Sequence, residues 1–397
     1  MGEFEDTVAR TVIAAFSALP AKSKPKLRPD ATEWVPLAGI TLETTGGEVV
    51  CVALATGMKC LPHAKIPLAA GMVLHDCHAE VLTIRAFNCF LAEECRKLAS
   101  DTSYTSEYLY RRPPPALTAA SPQPFAIHAD VRIHFYSSEA PCGDASMELT
   151  ISSQTDATPW TNSSPSSSAP AALLRGRGYF ASLGAVRTKP GRADSPPTLS
   201  KSCSDKLALR QSVSTLLSPL SFLVAPENAY LASLVLHKRV YSPVACDRAF
   251  GETGRMGVLQ GRDWGGGYMF RPFRVRTTDV EFEFTKTGTK AVGSNVSAVW
   301  VRGRGAETLI GGVLQGRKQF SGVRATSMLC KARMWKAVSG VAAVVGVRAV
   351  QMMIDVAVYG DLKEGVGMVS RNRAKVETRT ALGGWARNGG DDFGMVE

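Results

Sequence analysis

The chain has 397 residues, enough for one large domain or two ordinary ones, and 45% of them are hydrophobic, which supports a sizeable core. A formal net charge of +11 suits a polyanionic partner such as RNA. The nine cysteines, an odd number scattered from Cys51 to Cys330, argue against a disulfide framework and for a reducing, intracellular setting in cytoplasm or nucleus.

The N-terminal residues Glu3, Glu5 and Asp6 are acids where a secretory leader carries bases, so no leader is expected. Phe4 to Leu19 has apolar residues at helical spacing and stops at Pro20, which predicts a first helix. A basic connector, Ala21 to Asp30, follows. Trp34–Leu42 and Val49–Thr56 read as strands joined by a turn at Thr45-Gly46-Gly47. An amphipathic run from His78 to about Leu98 predicts a long helix, and Asp101 to Pro124 reads as a surface loop. Val131–Ser138 alternates and is rich in β-formers, so a strand is expected there, with a short helix starting near Asp144.

Ser152 to Pro170 is dominated by serine, threonine and proline and is expected to be a disordered insertion. Lys201–Lys206 opens another helix, through about Leu217, and Tyr230–Val240 is predicted to be helical. Gly257 to Trp300 looks strand-rich. The hexapeptide Gly-Val-Leu-Gln-Gly-Arg occurs at 257–262 and 312–317, with no similarity around the copies, so no repeat architecture is inferred. From Met328 the pattern is helical and dense in Lys and Arg. Its most apolar part, Ala337 to Val358, is interrupted by Arg348 and Asp355 and is too short to span a bilayer; it reads as buried helix or strand.

The chemistry centres on Leu74-His75-Asp76-Cys77-His78-Ala79-Glu80. His78 can bind a metal through a neutral ring nitrogen, and Glu80 can point at the metal's open position without ligating it. A zinc-dependent deaminase requires that pair at one spot. Cys142 follows a strand and a proline at a helix start, where a thiolate is stabilised. The usual zinc-deaminase signature places another cysteine three residues later, but here that position is Ala145. The third ligand therefore comes from elsewhere, and Cys203, which also precedes a helix, is the best choice. His75 is an alternative ligand, although a supporting role is preferred.

Three segments in order, His78-Ala79-Glu80, Ser138-Glu139-Ala140-Pro141-Cys142-Gly143-Asp144-Ala145 and Ser202-Cys203-Ser204-Asp205-Lys206, resemble the RNA adenosine deaminases (adenosine-to-inosine editases). Trp34–Ile40, Thr56–Pro62 and Ala381–Trp385 extend the resemblance over nearly the whole chain. It implies one α/β domain, with its core from about residue 34 to 390. The fold would be cytidine-deaminase-like: a mixed sheet flanked by helices, with a C-terminal helical extension. It implies His78, Cys142 and Cys203 as zinc ligands and Glu80 as the proton carrier in hydrolytic deamination. Lys59 would contact the nucleotide, although Met58 stands where the double-stranded-RNA editors have threonine.

The resemblance also implies buried inositol hexakisphosphate, held by Arg85, Lys206, Lys331, Tyr359, Lys363 and Trp385, with Lys375 and Arg371 as looser matches. An expected arginine is Leu209 here, and Arg210 is the candidate substitute. Asp76 and Lys206 would link the phosphate ligand to the metal site. Without the resemblance, the C-terminal cations read as a solvated helical face. Within the family the chain is most similar to the members that act on tRNA, at the adenosine 3′ of the anticodon of alanine tRNA. The alternatives are another structured RNA or mRNA, or a non-catalytic RNA-binding module with structural zinc. Neither a membrane nor DNA is expected as a partner. The Arg-Gly-Arg-Gly segments at Arg175 and Arg302 could touch RNA phosphates or simply form loops.

Overall fold

The computed structural model describes residues 2–26, 33–152, 174–176, 182–189, 195–286 and 291–395. The predicted insertion falls at 153–170, outside the described residues; Ser152 itself closes a short helix, Met147–Ser152. Among the described residues, an eight-stranded mixed sheet runs in the order Arg274–Thr278, Leu231–His237, Arg132–Ser137, Leu37–Glu43, Val49–Thr56, Val296–Val301, Gly305–Ile310 and Val313–Leu314. The first three strands are mutually parallel and the remaining pairings are antiparallel. No helix among the described residues is long and apolar enough to cross a membrane.

Each face of the sheet is covered. The Glu3–Ser17 helix lays Val8, Val12 and Phe16 against Leu37, Leu54, Tyr136 and Val235. On the other face the 22-residue helix Ala79–Ser100 buries Leu82, Ala86, Phe87 and Phe90 against Ile40, Val52 and Phe135. The helices Lys331–Val345, Arg348–Ile354, Tyr359–Glu364 and Val369–Leu382 continue that layer. They close on the fully buried Trp335, whose ring meets those of Tyr359 and Phe393 at 5.7 and 6.3 Å.

Several expectations are corrected. Tyr230–Val240 is not a helix: Leu231–His237 is a strand paired on both sides. A parallel strand buried on both faces is a continuous apolar run without alternation, so periodicity cannot separate it from a buried helix. The helix opened at Cys203 stops at Val213, because Ser214 turns with φ +59°. The Asp101–Pro124 loop contains a short strand, Leu109–Arg111, paired with Phe125–Ile127. Ala337–Val358 is only half-buried: Gly346, at φ +72°, ends one helix, and Val344 and Met352 face solvent. The two hexapeptide copies differ in conformation, one holding a 3-10 turn at Gly257–Leu259 and the other a strand at Val313–Leu314, which agrees with their not being a repeat.

Gly39 lets the N-terminal helix lie close on the sheet. A Cβ there would sit 2.4 Å from Cγ1 of Val12, a stiff, fully buried side chain. Gly39→Ala is therefore expected to lower the unfolding free energy by about 1–3 kcal/mol in urea melts. Gly46→Ala, where a Cβ meets nothing within 4 Å, should leave it nearly unchanged.

Candidate active site

His78 occupies the N-cap position of the Ala79–Ser100 helix. It is the last residue of a three-residue strand, Asp76–His78, that pairs with Met58–Cys60. Its backbone N–H donates to Asp76 Oδ1 at 3.0 Å, and the Ala79 N–H donates to the Gly57 carbonyl at 2.9 Å, which fixes where the ring emerges. Cys203 is the first residue of the Cys203–Val213 helix, whose Ser202 hydroxyl accepts from the Asp205 N–H at 3.1 Å. Cys142 comes from the turn after the Arg132–Ser137 strand. There Gly143, at φ +101°, passes so close to Ser202 that a Cβ would lie 2.3 Å from its Oγ. Glycine is required at that approach.

His78 Nδ1 lies 3.8 Å from Cys142 Sγ and 3.7 Å from Cys203 Sγ, and the three donors form one potential ligand group. Zinc–sulfur and zinc–nitrogen bonds of ordinary length at a tetrahedral angle put N and S about 3.6 Å apart. The residues therefore fit a zinc ion, and three protein donors leave its fourth position open. The Cys203 N–H donates to Cys142 Sγ at 3.3 Å. The hydrogen bond from the Cys203 side chain holds the Cys142 thiol well below the usual range against its burial, with the Lys189 and His78 charges adding to it. Burial pushes the Glu80 carboxyl up, and the neighbouring Cys142 adds to the rise. A buried carboxyl that retains its proton more readily than usual is suited to carrying protons at neutral pH.

Lys189, which nothing in the sequence marked as part of the site, is 3% exposed. Its Nζ donates to Cys203 Sγ at 3.2 Å and to Asp76 Oδ2 at 2.9 Å. Asp76 Oδ2 also accepts from Ser200 Oγ at 2.6 Å and from Lys206 Nζ. These cations hold the Asp76 carboxyl well below the usual carboxylate range although burial opposes them. Cys60 also groups with Asp76 and His78. Lys59, the predicted nucleotide contact, is exposed on the strand that pairs with Asp76–His78, opposite Cys77.

Beside these three candidate donors lies a cavity of about 340 Å³. All nine residues expected to hold the phosphate ligand line it: Arg85, Lys206, Arg210, Lys331, Tyr359, Lys363, Arg371, Lys375 and Trp385. Lys201, Arg379, Arg387 and Asp391, which the sequence reading missed, line it as well. Ten lysines and arginines thus face four carboxylates. Arg210 reaches the cavity beside Leu209, and its Nη1 is anchored on the Leu216 carbonyl at 3.0 Å. His75 lines this cavity rather than joining the metal donors, and burial, with Lys331 and Arg85 adding, pushes its ring down to about 3.

The crowding leaves the cations short of partners. Burial, with Arg371 and Lys363 adding, pushes Lys375 down to about 6. Burial likewise pushes Lys201 and Lys331 down to about 8 and Arg210 to about 9. Arg371 Nε and Arg379 Nε are buried with no hydrogen-bond partner. A polyphosphate fits such a cavity, because it offers many acceptors and negative charge to groups otherwise costly to bury.

A lysine whose folded pKa lies below its unfolded value destabilises the fold most at low pH, because the unfolded chain binds more protons. In protein stripped of polyanions, the melting temperature is therefore expected to rise between pH 6 and pH 9, as Lys375, Lys201 and Lys331 lose their protons. A polyphosphate bound there would need those protons, so any stabilisation by added inositol hexakisphosphate is expected to be larger at pH 6 than at pH 9. Thermal melts at both pH values, with and without the ligand, check both signs.

Comparison with known proteins agrees with this geometry. Residues 53–389 match the model of the adenosine-deaminase (editase) domain. The chain is 34% identical to tRNA-specific adenosine deaminase 1 of Schizosaccharomyces pombe, over 98% of this chain and 96% of that one. It is 32% identical to the protein of that name in Saccharomyces cerevisiae, over 58% of each chain. It is also 30% identical to the double-stranded RNA-specific adenosine deaminase of Mus musculus, over 36% of this chain and 11% of that one. With a domain match that takes in all three metal donors, Glu80 and most of the cationic cavity, the chain belongs to the adenosine-deaminase (editase) family.

Proposed function

We propose that this chain is a zinc-dependent hydrolase that converts adenosine to inosine in tRNA, with the adenosine 3′ of the anticodon of alanine tRNA as its target. The observation that carries the chemistry is the convergence of His78 Nδ1 and the two cysteine sulfurs beside a buried Glu80. The tRNA substrate rests on similarity to the two fungal tRNA-specific deaminases, one of them matched along almost its entire length. The net charge of +11 favours a polyanionic substrate of this kind.

His78, Cys142 and Cys203 would hold a zinc ion, which when bound would lower the pKa of water to about 7 and so make a nucleophile available at neutral pH. Glu80 would carry a proton from the attacking water to N1 of the adenine and then assist the departure of ammonia from C6. Its raised affinity for a proton matches that double task, since it must both hold and release one. Lys59, exposed on the strand that pairs with Asp76–His78, would contact the nucleotide. Asp76 and Lys189 orient the ligands from behind. The cationic cavity would hold inositol hexakisphosphate, and hydrogen bonds through Lys206, Asp76 and Lys189 link that cavity to Cys203.

Purified protein incubated with total tRNA should yield inosine at the adenosine 3′ of the anticodon of alanine tRNA, read by sequencing. Inosine in other RNAs but not in tRNA would sink the substrate assignment. Glu80→Ala should retain zinc and RNA binding while its turnover falls by about 100- to 10,000-fold; unchanged turnover would sink the mechanism.

A further inference from the structure

The two segments that carry Cys142 and Cys203 are far apart in sequence but share one pattern. Cys142 is followed two residues later by Asp144, and Cys203 two residues later by Asp205. Both carboxylates point away from the metal donors into a buried site, with side-chain exposures of 2% and 0%. Between them sits Arg255, whose side chain is 6% exposed. Its Nη1 donates to Asp205 Oδ1 at 2.7 Å, and its Nε lies 3.8 Å from Asp144 Oδ2. One guanidinium thus spans the two cysteine segments.

The surroundings favour a brace over an incidental ion pair. Arg255 is brought in by a tight turn: a Cβ on Gly254 would lie 2.3 Å from the Asp247 carbonyl, so the turn needs glycine there. The Arg255 N–H is fixed on the Arg248 carbonyl at 3.0 Å. Arg248 Nε donates to Asp144 Oδ1 at 3.0 Å, but its other side-chain contacts are the Asp144 carbonyl and Glu148, all on the Cys142 segment. On the opposite side, Asp205 Oδ2 accepts from the Arg187 N–H at 3.0 Å and from Ser202 Oγ. Asp144 Oδ1 also accepts from the Gly184 N–H at 2.7 Å, and the two cysteine segments touch directly where the Ser204 N–H donates to the Cys142 carbonyl at 3.0 Å. Of the two arginines, Arg255 is the one that joins them.

We propose that Arg255 is a positioning residue for the metal site, holding the Cys142 and Cys203 sulfurs at the separation a single metal ion requires by bridging Asp144 and Asp205. It touches neither substrate nor metal. A planar guanidinium suits the role, because it presents several donors in a fixed fork to carboxylates on either side. Partners of this kind, one shell beyond the ligands, commonly govern how tightly a metal is kept. The inference rests on reading the two cysteines as zinc ligands.

The test is the rate of zinc release to a chromogenic chelator from the folded, zinc-loaded protein, for the wild type, Arg255→Met, Arg255→Lys and Arg248→Met. The visible thiolate absorption of the cobalt-substituted forms is recorded alongside. Arg255→Met is expected to release zinc about 10-fold faster or more and to shift the cobalt bands. Arg255→Lys, which retains the charge but not the fork, should fall between it and the wild type. It also carries the test if the methionine variant does not fold. Arg248→Met, which removes a cation from one segment alone, should have the smaller effect. Equal release rates and cobalt spectra in wild type and Arg255 variants, even with a lowered melting temperature, would overturn the proposal. So would an effect of Arg248→Met as large as that of Arg255→Met. A wild type that binds no zinc would overturn the functional reading as well, which separates the two failures.

Discussion

Asp76 is the point on which the two halves of the site hang. It is a buried carboxylate, and Lys189, Lys206, Ser200 and the His78 backbone N–H all donate to it. A buried anion is tolerated only when it is fully paired, and a buried lysine only when its charge is answered. Lys189 meets that condition by facing Asp76 on one side and Cys203 Sγ on the other. Lys206 faces Asp76 from within the cationic cavity. Removing the carboxylate would leave two cations unanswered at once, one behind a metal ligand and one in the cavity wall.

The cavity poses the opposite problem, an excess of one sign. Asp391 answers Lys331 and Lys363, and Lys331 also bonds the Gly390 carbonyl at 2.8 Å. Trp385 lies under Lys201 and Arg379, with the cations 5.8 and 5.3 Å from the ring centroid. These contacts disperse part of the charge. They do not balance ten cations, and the lowered proton affinity of Lys375, Lys201 and Lys331 records the remainder. The C-terminal helices that supply many of these side chains pack on the same core as the Ala79–Ser100 helix through Trp335. The geometry of the cavity and the position of His78 are thereby mechanically connected.

The three candidate metal donors were legible in the sequence, because each sits at a local feature that short-range patterns reveal. His78 caps a long amphipathic helix, Cys203 opens another behind a serine cap, and Cys142 follows a strand and a proline. The nine predicted residues of the cationic cavity were legible by resemblance alone. Their local setting, helices rich in Lys and Arg, is what a solvated surface also looks like. Lys189, Lys201, Arg379, Arg387 and Asp391 carried no local signal, since burial of a charged side chain depends on what the rest of the chain brings to it. The error at Leu231–His237 has the same root: a strand flanked on both sides loses the alternation that marks a strand.

By itself, then, the sequence determined the α/β character, the N-terminal and His78 helices, the first strands and the identity of the three donors with Glu80. Those are properties of segments about ten to twenty residues long, governed by periodicity, capping and residue chemistry. Tertiary structure alone decided that the donors converge within 4.8 Å and that nine predicted cavity residues share one chamber. It alone set His75 on the cavity wall and Arg255 between two aspartates more than sixty residues apart in sequence. Those outcomes depend on contacts between segments distant along the chain. No local pattern encodes them, because the energy of a buried charge is set by the partners that folding delivers to it.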